Sequence, residues 1–185
     1  MMKTRFAIAA VLLVNSIASA QTTRRREPAV PADAASVEAA VSALYASVSH
    51  APDGSPDFER LRGIFLYTGM FVPPVRPGRE IAVSDVDQFA EKFKDAAAAR
   101  KEKGEATGFF EKEIARRTDC FGNVCQIFST YESRHTESDA KPFERGVNAI
   151  QLVRDGKRWW ISSVAWDTER TDNPIPPQYL PAARP

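Results

Sequence analysis

Residues 107–167 read TGFFEKEIARRTDCFGNVCQIFSTYESRHTESDAKPFERGVNAIQLVRDGKRWWISSVAWD. This stretch reads as four strands: 107–119 and 123–135 alternate apolar and polar residues, the pattern of half-buried antiparallel strands, and 143–154 and 157–167 are rich in β-branched and aromatic residues. In 123–135 (NVCQIFSTYESRH), Cys125, Ile127, Ser129, Tyr131, Ser133 and His135 fall on one face. Val124, Gln126, Phe128, Thr130, Glu132 and Arg134 fall on the other. Gly122-Asn123 separates this run from 107–119, and both residue types accept the positive φ of a tight hairpin turn. A two-residue loop sets Phe121 against Val124 and Cys120 against Cys125. The cysteines then occupy a non-hydrogen-bonded pair with Cα atoms about 4.5 Å apart, at the lower edge of what a disulfide spans. A second hairpin follows, 143–154 and 157–167, turning at Asp155-Gly156.

Working outward, the start of the chain is an export signal. Lys3 and Arg5 precede an apolar run from Phe6 to Ile17, and Ala18-Ser19-Ala20 is a small-residue cleavage site. Cleavage after Ala20 delivers the protein to the periplasm or the medium. No cysteine follows the apolar run to take a lipid. Removal of Lys3 and Arg5 takes the basic count from 25 to 23 against 24 acids, so the mature chain is close to neutral. That balance argues against a nucleic-acid binder. After the signal the sequence offers no apolar run long enough to span a membrane. Export also favours a Cys120–Cys125 bridge, since these are the only 2 cysteines. The alternative is a pair of buried thiols.

Residues 21–33 are charged and aperiodic and read as a disordered linker. One globular domain is expected over 34–170, with a proline-rich tail over 171–185. A helix is expected from about Ala34 to Ser49, capped by Asp33, with Val37, Val41, Leu44, Tyr45 and Val48 as its apolar stripe. A short helix should follow, capped by Ser55 with Pro56 first and Gly63 as its stop. Residues 64–72 (IFLYTGMFV) read as a buried strand and 81–83 as a very short one. The longest helix is expected after Ser84, with Asp87 completing a capping box and Gly104 ending it. Ile175, Tyr179 and Leu180 are placed to pin the tail onto the body.

Three amphipathic helices need an apolar surface, and a curved antiparallel sheet supplies one, giving an α+β cone with helices on the concave side. The order of elements is similar to the nuclear transport factor 2-like superfamily, which includes SnoaL-like and ketosteroid-isomerase-like proteins. More narrowly, FGNVCQIFSTYESRH, RGVNAIQL, DGKRWWISSVAWDTE and NPIPPQYL resemble an uncharacterised group of secreted bacterial proteins within it. The resemblance covers about Ser36 to Leu180. It implies a pocket at the open mouth of the cone and homodimerisation through the sheet.

No metal-ligand spacing is present, and neither are GxSxG, GxxxxGK or GxGxxG. No metal or cofactor is expected. As the resemblance implies, isomerase-like or dehydratase-like chemistry needs an Asp, His or Tyr in the pocket, where an apolar setting raises a carboxylate's pKa. Tyr131, His135 and Asp167 are the catalytic candidates, and Tyr131, His135, Asn148, Gln151 and Trp166 the ligand-binding ones. Tyr131 and His135 are expected inward, and Glu132 and Arg134 outward in cross-strand ion pairs. Trp159 and Trp160 should point to opposite faces, with Trp166 on the face of Trp160. The leading expectation is a non-catalytic domain that binds a small, partly apolar molecule. An acid–base isomerase, dehydratase or cyclase and a homodimeric interaction module are the alternatives.

Overall fold

In the computed structural model, residues 31–75 and 77–182 are described. The signal segment and the Arg24–Arg26 cluster of the linker lie outside them. The order is α1 (Val37–Val48), α2 (Phe58–Ile64), β1 (Phe65–Val72), α3 (Val86–Glu102), β2 (Phe110–Phe121), β3 (Val124–Arg134), β4 (Glu144–Arg154) and β5 (Trp159–Thr168). The strands form one sheet in the order β1-β5-β4-β3-β2. All neighbours are antiparallel except β1, which joins β5 in parallel. The three helices pack on one face of this curved sheet, and the α+β cone read from the sequence is the observed architecture.

The helix starts follow local chemistry one to three positions from the expected ones. Ser36, not Asp33, caps α1 by accepting from Ala39 N at 3.1 Å. Asp33 lies instead in a short 3-10 turn and takes a forked hydrogen bond from Arg60 at 2.7 and 2.8 Å. Asp57 caps α2 in place of Ser55, and Gly63 lies inside that helix. Asp85 and Gln88 form the capping box of α3, displacing Ser84 and Asp87. Gly104, just beyond this helix, adopts φ 69°, a conformation that glycine takes without steric strain. Residues 81–83 form no strand; the neighbouring Ser84 makes one bridge to Phe71.

The first hairpin has the expected register, with Phe121 opposite Val124 and Cys120 opposite Cys125. Only Gly122 has positive φ, at 58°, which is the demand of a type II′ turn with glycine first. Cys120 and Cys125 are bridged, with Cα atoms 4.1 Å apart. The second turn is longer than two residues: Arg154 pairs with Trp159, and the Asp155 carboxylate accepts from Lys157 N, Arg158 N and Trp160 Nε1.

Two bulges decide which side chains face the helices. In β2 the register shifts between Glu113 and Ala115, leaving Ile114 as the extra residue. In β5 it shifts between Ile161 and Ser163, leaving Ser162 as the extra residue. A one-residue insertion flips every later side chain to the other face. Trp159 and Ile161 therefore face the core, and beyond the bulge so do Val164 and Trp166. This corrects the expectation that Trp166 shares the face of Trp160. Beyond β5 the proline-rich segment crosses the outer face, where Ile175 is buried and Thr130 donates its hydroxyl to Tyr179 O at 2.5 Å.

The disulfide closes so short a loop that chain entropy assigns it about 2 kcal/mol. The double substitution of Cys120 and Cys125 by alanine should lower the unfolding midpoint by roughly 4–8 °C. An unchanged midpoint, or intact mass showing two free thiols in protein from an oxidising compartment, would refute the structural role of the bridge.

Candidate functional site

Inside the cone, the helices and sheet enclose a cavity of about 290 Å³. Its apolar wall comes from Leu44 and Val48 of α1, Phe71, Phe89 of α3, Phe109, Val164 and Trp166. Its polar groups are Glu111, Tyr131, Glu144 and Asn148, all carried by the sheet. A second, outer lobe of about 340 Å³ shares Val48, Phe89, Phe109 and Glu144 with it and continues towards His50, Arg100, His135 and Phe143.

Strand register brings the polar groups together. Ser133 of β3 pairs with Glu111 on one side and with Glu144 on the other. The two glutamates thus flank β3, with backbones about 10 Å apart at the usual strand spacing. Ser133 is fully buried, and its hydroxyl has no hydrogen-bond partner among the described residues. Tyr131 donates to Glu144 Oε1 at 3.1 Å. The amide of Asn148 donates to Glu111 Oε1 at 3.3 Å and to the Tyr45 hydroxyl at 3.1 Å. Tyr45 lies 2.6 Å from Ser129 Oγ, and Ser129 donates to Glu113. Because the serine has one hydrogen to give, Tyr45 is the donor to it. The chain ends in a fork from Arg116 onto Glu113 at 2.8 and 2.7 Å. Glu113 and Arg116 face the same way because Ile114 bulges between them.

The electrostatics follow from this layout. Burial pushes the Glu111 carboxyl up to about 7; the Asn148 hydrogen bond opposes the shift, and the charge of Glu144 adds to it. Burial, reinforced by the glutamates, raises both Tyr45 and Tyr131 well above the usual phenol range, so both stay protonated donors. Gly146 permits this arrangement. A Cβ there would meet the Tyr131 hydroxyl at 2.5 Å, so only glycine lets the phenol lie flat over β4.

Of the residues expected from sequence, Tyr131, Asn148 and Trp166 line the inner cavity. His135 lines the outer lobe, stacked on Phe143 with ring centroids 4.2 Å apart. Gln151 and Asp167 are separated from this group. Gln151 is exposed, out of phase with the buried Ile150 and Leu152. Asp167 is exposed beside Arg170, whose hydrogen bond holds its carboxyl below the usual range. Tyr131, His135 and Asp167 therefore do not converge. Glu132 is held outward by Arg134 at 2.8 Å. Glu111, Glu144 and Tyr45 escape a reading of the sequence. Counting from the Gly122-Asn123 turn sets Ile114 against Tyr131 and Lys112 against Ser133, and only the bulge exchanges them for Glu113 and Glu111.

No protein-family model matches the sequence. No curated protein matches it either. Solved structures do. One from Xanthomonas campestris, described as a candidate calcium/calmodulin dependent protein kinase II association domain, is 12% identical. It covers 73% of this chain and 86% of its own, with TM-score 0.50. An NTF2-like protein of unknown function from Silicibacter pomeroyi is 17% identical, covering 71% of this chain and 92% of its own, with TM-score 0.46. Another from Shewanella baltica is 12% identical, covering 71% and 91%, with TM-score 0.45. At such identities the likeness is one of fold. The three helices on a five-stranded curved sheet make an α+β architecture consistent with the NTF2-like fold.

Glu111 makes stability depend on pH. Its folded value of about 7 lies above the ordinary 4.5 of an unfolded chain. Between the two the folded state holds the proton and the unfolded state does not. The contribution is complete below about pH 4.5 and is lost as pH rises through 7, by about 3 kcal/mol in all. Glu111→Gln, which keeps the acceptor for Asn148, should match the wild type near pH 4 and exceed its stability by roughly 2–3 kcal/mol near pH 8. Urea unfolding across this range checks it; parallel curves for the two proteins would refute the assignment.

Proposed function

We propose that this is an exported domain whose cone holds a small, partly apolar molecule. The observation that carries this reading is the inner cavity of about 290 Å³, walled mainly by aromatic and aliphatic side chains, with a few convergent polar groups. The signal-like start of the sequence and the Cys120–Cys125 bridge support export. A thermal-shift screen of steroids, polyketides, fatty acids and aromatic acids tests it. A ligand at about one hundred times its dissociation constant should raise the midpoint by roughly 5–10 °C. Val48→Phe, which narrows the passage between the lobes, should remove the shift. A screen without stabilisation would count against the reading.

Glu111 favours a second reading, acid–base chemistry of the isomerase or dehydratase kind. A carboxyl titrating near neutrality and facing a cavity is suited to moving protons, with Tyr131 as a fixed donor beside it. The carboxylate in this role is Glu111 rather than Asp167. With β-hydroxy and unsaturated carbonyl compounds, turnover limited by a general base should climb with pH to half its maximum near 7. Glu111→Gln should slow it by roughly 10²–10⁴-fold. Turnover insensitive to this substitution would exclude the role.

A further inference from the structure

The inner cavity carries two carboxylates and no basic side chain on its lining. Glu111 accepts only from Asn148, and Glu144 only from Tyr131, among the described residues. Neither forms an ion pair there, although Glu113, two residues from Glu111, is fully matched by Arg116. Negative charge facing an apolar hollow is unfavourable unless something positive joins it. The rest of the wall suits such a partner. Phe89, Phe109 and Trp166 line it, and aromatic rings attract a cation as well as an apolar body. Ser133, buried and without a partner among the described residues, stands between the strands that bear the two glutamates.

From these features we propose that the inner cavity takes a small organic cation, a protonated amine on an apolar body, with Glu111 and Glu144 as its counter-ions. This rests on the small-molecule reading above and names the class of ligand. Arg100, which lines the outer lobe and not the inner cavity, repels the ammonium from the mouth. The ligand is thereby oriented with its charge inward. Tyr45 and Tyr131, the other titratable groups facing the glutamates, remain neutral donors. When the ammonium enters, Glu111 gives up its proton to solvent and the amine keeps its own. Affinity therefore rises as pH passes upward through the Glu111 transition.

Calorimetric titration with 2-phenylethylammonium and with 2-phenylethanol, matched in size and differing in charge, is the test. Near pH 8 the wild-type protein should bind the ammonium about tenfold more tightly than the alcohol, and near pH 6 this preference should shrink. Glu111→Gln and Glu144→Gln should each weaken the ammonium about tenfold and leave the alcohol within about twofold. Equal binding of the two probes, or tighter binding of the alcohol, would overturn the cation and leave the pocket standing. Ammonium binding that neither substitution weakens would overturn the assigned counter-ions. Failure of both probes to bind the folded wild-type protein at millimolar concentration would overturn this inference and remove support from the pocket itself.

Discussion

One extra residue in β2 decides the chemistry of the cone. Ile114 has no partner on β3, and its insertion turns Glu111 and Glu113 towards the helices in place of Lys112 and Ile114. Without it, the wall opposite Tyr131 and Ser133 would carry an isoleucine and a lysine. The cavity would then set a lysine beside Glu144 in place of a second carboxylate. With it, the same strand supplies two glutamates that meet quite different surroundings a short distance apart.

That difference is the heart of the site. Glu113 is answered by the Arg116 fork and by Ser129, so its charge is compensated where it stands. Glu111 receives a single amide hydrogen bond, and Glu144 lies across β3 from it. Desolvation therefore dominates at Glu111 and raises its pKa. Tyr45 ties the two environments together, accepting from Asn148 on the Glu111 side and donating to Ser129 on the Glu113 side. Its position depends on α1, whose C-terminal end is fastened by paired backbone hydrogen bonds between His50 and Phe109 at the start of β2.

Local sequence signals carried much of this fold. The Gly122-Asn123 turn fixes a register that brings Cys120 to Cys125, because turn type and strand pleat leave little freedom there. Alternation along β3 correctly separates Tyr131 from Glu132, since that strand pairs on both sides without a break in register opposite β4. What failed to show was the phase of β2 and β5. Ile114 and Ser162 are ordinary residues with no glycine or proline to mark a bulge. The face presented by Glu111, Trp166 and Asp167 is set by tertiary pairing. The cap positions missed by one to three residues for a related reason: Ser84 and Asp85 are both competent caps, and the packing of the following helix selects between them.

A carboxylate kept out of water, a hydroxyl without a partner among the described residues and a phenol pressed onto a glycine are individually unfavourable. They persist because the elements that hold them are fixed by interactions elsewhere. The disulfide clamps the far end of the β2–β3 hairpin, and the Asp33–Arg60 fork ties α2 to the segment before α1. On the opposite side of the sheet, Tyr179 packs against Phe128 while Thr130 donates to its carbonyl, so the C-terminal segment braces β3 from behind. None of these groups lines the inner cavity. The arrangement is that expected when stability is supplied by a periphery so that a local site can be held in a state it would not choose alone. A protein selected only to fold would have filled the hollow with leucine and paired its glutamates. The retained space and unbalanced charge are what a ligand of the right size and sign would complete.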